Sequence, residues 1–199
     1  MQVEFIGQSV DIDAAYVNEE RIEAAARTCT QTEMGDDPNG FVARLLERGH
    51  MSPLEFGYAE MLIECDRAIQ QELTRHRHFS FNVESTRWVD YTKKPLRFVT
   101  KPPEGMEVPE DMVEMLENLC KVCSTAYETM LEAGVPRDYA RKCLPLATAS
   151  KMRMAGNPRT WIEMLPKRLA KAAHPEIREV ARKVRDELVN FSSTLFGGL

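Results

Sequence analysis

One long segment with periodic apolar residues dominates this chain. Residues 109–134 read PEDMVEMLENLCKVCSTAYETMLEAG, and their apolar side chains recur at helical spacing: Met112, Met115, Leu116, Leu119, Val122, Cys123, Ala126 and Met130. Gly134 supplies a typical stop signal after the last periodic residue. The spacing therefore predicts a long helix, and the fold has to accommodate it.

Shorter helical and strand-like patterns lie on both sides of this segment. Helical patterns cover residues 17–29, 36–50, 66–77, 136–144, 158–170 and 174–196. Strand-like patterns cover residues 1–7, 52–65 and 147–157, and a short strand is expected between the prolines of 92–105. The regular strand-helix alternation of a Rossmann sheet is missing, so the order of elements predicts an α+β fold. A length of 199 residues suits a single domain over residues 1–199.

Charge and composition argue against several classes of protein. The net charge of −5 disfavours a nucleic-acid coat and a protein that binds an anionic membrane surface. The start, MQVEFIGQSVDID, lacks a basic region and a long apolar run, so we expect no secretory signal. No stretch reaches the roughly 20 apolar residues of a membrane span. Five scattered cysteines are expected to be reduced thiols, which indicates a cytoplasmic protein.

Residues 75–87, RHRHFSFNVESTR, concentrate hydrogen-bond donors in a locally basic stretch. Arginine presents a planar fork that binds a phosphate or a pyrimidine carbonyl with two donors at once. His76 lies between two arginines, an arrangement for which an anion or an acceptor is expected to compensate, and Ser85 and Thr86 add hydroxyls for a phosphate cradle. The stretch predicts a site for a flat, anionic ligand, and a salt-bridged surface loop is the simpler alternative.

The remaining motifs carry less chemistry. No Gly-rich phosphate loop occurs, so a nucleotide would have to be held by side chains and loop amides. Cys120-x-x-Cys123 lies inside the long helix, without a second ligand pair at zinc spacing, so we expect structural thiols and no metal. None of the five cysteines has a convincing setting for a nucleophile.

Three stretches of the chain resemble one known family. RHRHFSFNVES resembles the signature of flavin-dependent thymidylate synthases, in which Arg-His-Arg is followed after seven residues by Ser. RGHMSPLEF resembles the preceding segment of that family, and ARKCLPLATASKMRMAGNPRTW resembles a later one. Together with EIREVA near the end, these stretches cover most of the chain.

The resemblance implies an enzyme that methylates C5 of dUMP to give dTMP. Methylenetetrahydrofolate would be the carbon donor, and FAD, reduced by NADPH, would supply the hydride. The implied fold is α+β, with a central, mostly antiparallel sheet and long helices, assembled as a homotetramer with active sites between subunits. Arginines aimed at the pyrimidine carbonyls would stabilise developing negative charge, and stacking of uracil on the flavin would provide proximity.

Site residues follow from the resemblance position by position. The positions that hold FAD are Arg75, His76, Arg77, Asn157 and Arg159, the last two from another subunit. The positions that contact dUMP are Glu72, Ser85, Thr86, Arg87, Arg141 and Arg168. Arg168 falls at the pyrimidine ring and is the expected catalytic residue. His50 and Trp88 fall on the folate side of the pocket.

The chain departs from the family pattern at three positions. Phe56 stands where members often have His, Val83 stands where many have Glu, and Ala172 replaces a His that usually packs on the flavin. A looser pocket would admit water, which could capture the bridging carbon as a hydroxymethyl group. Two alternatives therefore stay open: a flavin- and folate-dependent dUMP hydroxymethylase, and a non-catalytic nucleotide- or RNA-binding module that uses the arginine loop.

Overall fold

The computed structural model describes residues 1–5 and 13–199. A four-stranded antiparallel sheet, with strand order β1-β2-β4-β3, forms its centre. The strands are β1 (Gln2–Phe5), β2 (Ala59–Asp66), β3 (Ser80–Val83) and β4 (Ala149–Gly156). The α+β fold with an antiparallel sheet is thus confirmed for the described residues.

The helices lie around this sheet. They are α1 (Asp13–Thr28), α2 (Pro38–Glu47), α3 (Arg67–Leu73), α4 (Glu110–Glu132), α5 (Arg137–Ala140), α6 (Pro158–Leu169), α7 (Pro175–Phe191) and α8 (Ser193–Phe196). Two short 3₁₀ turns span Ser52–Phe56 and Arg141–Cys143. Strands and helices do not alternate regularly along the described chain, as the sequence patterns predict.

Alternation along the central strands produces one apolar and one charged face. Met61 and Ile63 of β2 pair with Met154 and Met152 of β4, and all four side chains are buried. Helices α6 and α7 cover this face with a set of fully buried side chains: Trp161, Leu165, Ile177, Val180, Val184 and Leu188. Burial of each large apolar side chain contributes about 1.5–3 kcal/mol, so this layer stabilises the packing of α6 and α7 on the sheet.

Helix starts near the site are set by local capping. The Asp66 carboxylate accepts a hydrogen bond from the Ile69 amide at 2.7 Å and opens α3, as its capping position predicts. The Asn157 side-chain oxygen accepts from the Thr160 amide at 2.9 Å and opens α6, with Pro158 at the first helical position. These two caps fix the directions in which α3 and α6 leave the sheet.

Two predicted elements are shorter than the sequence patterns indicate. The strand predicted over 52–65 begins only at Ala59, because Ser52–Phe56 forms a 3₁₀ turn with Pro53 in its first turn. The helix predicted over 66–77 ends at Leu73, and Ser80–Val83 forms the edge strand β3, which the sequence analysis did not predict. The arginine motif therefore begins in the turn after α3, continues through strand β3 and ends in the segment after it.

Three other boundaries also differ from the predictions. The strand expected within 92–105 is reduced to one bridge between Phe98 and Thr148, because prolines interrupt the ladder on both sides. The helix predicted over 174–196 breaks at Ser192, whose hydroxyl accepts from the Leu195 amide and starts α8. Helix α1 spans Asp13–Thr28, so it begins four residues before the helix predicted over 17–29. The predicted strand over 1–7 is seen as β1, and residues 6 and 7 lie outside the described residues.

Helix α4 matches the predicted long helix but leaves part of its apolar stripe uncovered. The side chains of Met115, Leu119 and Val122 are 61%, 54% and 65% exposed. On its other side, Tyr127 packs with Tyr91 in a second, smaller apolar cluster. None of the described helices is both long and apolar enough to cross a membrane.

Candidate functional site

Three residues that are far apart in the sequence meet between α3 and α6. Arg168 Nε donates to His76 Nε2 at 2.8 Å, and Arg168 Nη1 donates to a Glu72 carboxylate oxygen at 3.4 Å. His76 lies 92 residues from Arg168, and Glu72 lies 96 residues from it. We call Glu72, His76 and Arg168 the Arg168 cluster. It unites a residue of the predicted flavin motif with two predicted dUMP contacts.

The imidazole of His76 is held in its neutral form. Burial lowers the pKa of His76 because it disfavours the charged imidazole, and the positive charges of Arg168 and Lys167 lower it further. Since Nε2 accepts the Arg168 hydrogen bond, the ring proton sits on Nδ1. A neutral His76 therefore orients the Arg168 guanidinium without adding charge to the site.

A pH-dependent loss of stability is expected from His76. Its pKa is lower in the folded protein than in the unfolded chain, so the unfolded state takes up the proton first as the pH falls. The contribution of neutral His76 to the free energy of unfolding is complete above the ordinary histidine pKa of about 6.5, and it declines below that value. Between about pH 7.5 and about pH 5.5, thermal denaturation should show a smaller drop in Tm for His76→Gln than for the wild type.

The exposed His50 provides the matched control. His50→Gln should keep the wild-type dependence of Tm on pH, because the His50 side chain is exposed. Identical pH profiles for the wild type and His76→Gln would show that His76 does not titrate as the cluster requires.

A cavity of about 300 Å³ adjoins the Arg168 cluster. Its lining consists of Arg75, His76, Arg77, His78, Phe79, Thr160, Glu163, Met164 and Lys167. Phe79 and Met164 are buried and form an apolar wall, whereas Arg75 and Arg77 are exposed. No described carboxylate forms an ion pair with either of these two arginines. The cavity thus combines an apolar wall with free cations, which fits a ligand that carries both a flat ring and phosphate groups.

Residues Asn157 and Arg159 lie at the start of α6, next to this cavity. Asn157 caps the helix with its side-chain oxygen. Arg159 Nε donates to Glu163, which lines the cavity, and Arg159 Nη1 donates to Glu55, both at 2.7 Å. Arg159 consequently neutralises Glu163 and holds the pKa of that carboxyl below its ordinary value. In the described chain Arg159 is therefore occupied by two carboxylates.

A second group of predicted dUMP contacts converges on the segment after β3. Arg141 Nη1 donates to the Thr86 hydroxyl at 3.4 Å, although the two residues are 55 positions apart. The Arg87 amide donates to the Ser85 hydroxyl at 3.3 Å, and Arg87 Nε pairs with Asp138 at 3.0 Å. We call Ser85, Thr86, Arg87, Asp138 and Arg141 the Thr86 cluster. It brings together a hydroxyl-bearing loop and two guanidinium groups.

The two clusters rest on different elements. The Arg168 cluster belongs to α3, the turn after it and α6, whereas the Thr86 cluster belongs to the segment after β3, to α5 and to the 3₁₀ turn Arg141–Cys143. Among the described residues, no hydrogen bond or ion pair joins one cluster to the other. A single chain thus presents two separate halves of the predicted dUMP site.

The residues expected on the folate side are not brought into contact with each other. His50 follows α2, and its backbone amide donates to Leu45. Trp88 is 79% exposed, and its carbonyl oxygen accepts from Arg137 at 3.3 Å. Of the atypical positions, Phe56 is 59% exposed, Val83 packs on the main core, and Ala172 is exposed.

Sequence reasoning did not select several residues that take part in these sites. Asp138 pairs with Arg87, and Arg137 fixes the loop through the Trp88 carbonyl and Asp90. Lys167 lines the cavity immediately before Arg168. The charged run PRDYARK and the position of Lys167 in the last turn of a helix were available signals, but neither indicates a partner by itself.

The thiols are poorly placed for nucleophilic catalysis. All five cysteines are free. Burial raises the pKa of Cys65 to about 12, and burial also raises the pKa of Cys120 and of Cys143. A thiol with a raised pKa is protonated at neutral pH, so these three are weak nucleophiles. Among the described residues, no group of His, Cys, Asp and Glu is arranged to hold a metal ion.

The fold and the sites define an α+β protein with a cavity lined by cationic side chains. A family model described as "Thymidylate synthase complementing protein" matches residues 12–191. The probable flavin-dependent thymidylate synthase of Mycobacterium phage L5 is 32% identical over 196 residues, which is 89% of this chain and 77% of the relative. The flavin-dependent thymidylate synthase of Corynebacterium glutamicum is 31% identical over 208 residues, which is 95% of this chain and 81% of the relative. The enzyme of the same name from Pyrobaculum aerophilum is 38% identical over 142 residues, which is 70% of this chain and 52% of the relative.

These matches extend over most of the chain. The protein therefore belongs to the thymidylate synthase complementing protein family, whose relatives bear the name flavin-dependent thymidylate synthase.

Proposed function

We propose that this protein is a flavin-dependent thymidylate synthase that converts dUMP to dTMP. Methylenetetrahydrofolate is the carbon donor, and FAD with NADPH is the reductant. The observation that carries the proposal is the 2.8 Å hydrogen bond from Arg168 to His76, which joins the proposed catalytic arginine to the flavin motif. Membership of the family supports the same activity.

Arg75, His76 and Arg77 are proposed to hold FAD in the 300 Å³ cavity. Its apolar wall suits the ring system, and its exposed cations suit the phosphates. Asn157 and Arg159 are proposed to contact FAD from another subunit. When bound, the flavin supplies the hydride, drawn from NADPH, that completes the methyl group.

The guanidinium groups of Arg87, Arg141 and Arg168 are proposed to bind dUMP, with Glu72, Ser85 and Thr86. A guanidinium aimed at a uracil carbonyl stabilises the negative charge that develops when C5 acts as a nucleophile. This route needs no attacking thiolate, which agrees with the raised pKa values of the buried thiols. His50 and Trp88 are proposed to contact the folate, and the exposed Trp88 indole offers a free surface for stacking.

A homotetramer with active sites between subunits is proposed for the assembly. The separation of the dUMP contacts into two clusters supports a site completed by a second chain. The exposed stripe of Met115, Leu119 and Val122 on α4 supports a surface that another copy covers, because soluble proteins rarely expose a contiguous apolar patch to water. A single domain and a cytoplasmic location are part of the same proposal.

The α4 stripe provides a test of assembly. Leu119→Glu places a charge in the centre of the exposed stripe and should lower the oligomeric state measured by light scattering, because an unpaired charge is costly in an apolar interface. Lys121→Glu is the matched control on the same helix, since Lys121 is exposed and lies off the stripe. An unchanged mass for Leu119→Glu would contradict a role of this stripe in assembly.

The activity itself is tested by identifying the nucleotide product. Purified protein is incubated anaerobically with dUMP, FAD, NADPH and labelled methylenetetrahydrofolate, and each component is omitted in turn. Labelled dTMP that requires all four components is the expected result. A labelled hydroxymethyl nucleotide would favour a hydroxymethylase, and a colourless protein that binds RNA and leaves dUMP unchanged would favour a binding module.

A further inference from the structure

We infer that Lys167 is an additional phosphate-binding residue of the flavin cavity, one that the arginine motif does not include. The inference rests on the proposed function, because it assigns a further contact for the proposed cofactor. Lys167 lines the cavity together with Arg75 and Arg77 and lies in the last turn of α6. Its side chain is exposed.

The charges around Lys167 leave it available for an anion. Glu163, one helical turn earlier, is engaged by Arg159 at 2.7 Å. Arg168, the next residue, is turned toward His76 and Glu72. Within the described residues, Lys167 forms no ion pair. Lys167 acts on the site through its charge, since it contributes to the lowered pKa of His76 and of Glu163.

The chemistry of the cavity indicates which part of the ligand Lys167 meets. The apolar wall formed by Phe79 and Met164 suits the flavin ring, which is uncharged when oxidised. The same cavity is lined by three exposed cations that form no ion pair among the described residues: Arg75, Arg77 and Lys167. A diphosphate is the part of FAD that requires such a concentration of positive charge, and a lysine ammonium donates to phosphate oxygens from several directions. Lys167 therefore binds the diphosphate and not the ring.

Flavin titrations of the apoprotein test this assignment. Lys167→Gln should weaken the binding of FAD about five- to tenfold, because it removes one charge-assisted hydrogen bond. The same variant should bind riboflavin, which has no phosphate, as the wild type does. Lys167→Arg should restore most of the FAD affinity. Binding is followed by the quenching of flavin fluorescence, and Tm is measured to confirm that each variant is folded.

Lys171→Gln is the matched control, since it removes the same charge four residues further on, past the end of α6 and outside the cavity lining. It should leave the affinities for FAD and riboflavin unchanged. An unchanged FAD affinity in Lys167→Gln, or an equal loss for FAD and riboflavin, would overturn the assignment while leaving the proposed function intact. A wild-type protein that binds no flavin would overturn both.

Discussion

Arg168→Ala is expected to lower dUMP-dependent turnover by about a thousandfold. The guanidinium of Arg168 is held by neutral His76 and by Glu72, so its position is fixed before substrate arrives. Its removal takes away the charge that is proposed to face the pyrimidine ring, and no described cation contacts His76 in its place. FAD should remain bound, because Arg75, Arg77 and the apolar wall of the cavity are unchanged. Steady-state turnover and flavin titration measure the two effects separately.

Arg168→Lys and Arg185→Ala complete this experiment. Lysine keeps the charge but cannot donate to His76 and to a uracil carbonyl with a planar fork, so Arg168→Lys should recover little turnover. Arg185 pairs with the adjacent Asp186 on α7, and its removal should leave turnover unchanged. Loss of flavin together with turnover in Arg168→Ala would contradict the division of roles between Arg168 and the arginine motif.

Activity should return when two inactive variants share one oligomer. Arg168→Ala disables the Arg168 cluster, and Arg141→Ala disables the Thr86 cluster. If each active site takes one cluster from each of two chains, a random mixture contains sites with both clusters intact. A 1:1 mixture should then recover about a quarter of the wild-type turnover, because half of the chains supply each intact cluster. Co-expression of differently tagged chains, followed by tandem purification, gives the mixed oligomers.

The matched control combines two variants of the same cluster. Arg87→Ala mixed with Arg141→Ala leaves no chain with an intact Thr86 cluster, so this mixture should remain inactive. A mixed oligomer of Arg168→Ala and Arg141→Ala that shows no recovery would mean that each site is built within one chain.

The sequence predicted the type of an element correctly where its apolar periodicity and its capping residues indicated the same structure. Asp66 opened α3 and Gly134 followed α4 as their positions predict, because both signals act within one turn of the backbone. Strand β3 was missed, although Ser80, Phe81, Asn82 and Val83 alternate polar and apolar residues. The strand has only four residues and follows a charged motif, and its pairing with β4 depends on residues 152–155, far along the chain.

The candidate sites were predictable in composition but not in arrangement. The resemblance selected Arg168 and His76, and it selected Arg141 and Thr86. No local signal predicted that Arg168 would donate a hydrogen bond to His76, or that Arg141 would donate one to Thr86. The ion pairs of Arg159 with Glu55 and Glu163 could not be predicted either, because Glu55 lies 104 residues away from Arg159 in the sequence. Contacts of this kind depend on how α6 packs against earlier elements, and pattern analysis of one sequence does not contain that information.

The central claim is that dUMP stacks on the isoalloxazine of bound FAD and is held by these guanidinium groups. The absorbance spectrum of the bound flavin tests this claim most directly. Titration of dUMP into the FAD-loaded protein should give a saturable change in that spectrum. Arg168→Ala should lose the change at dUMP concentrations that saturate the wild type. Calorimetric binding of dUMP to the FAD-loaded wild type without any change in the flavin spectrum would contradict the account.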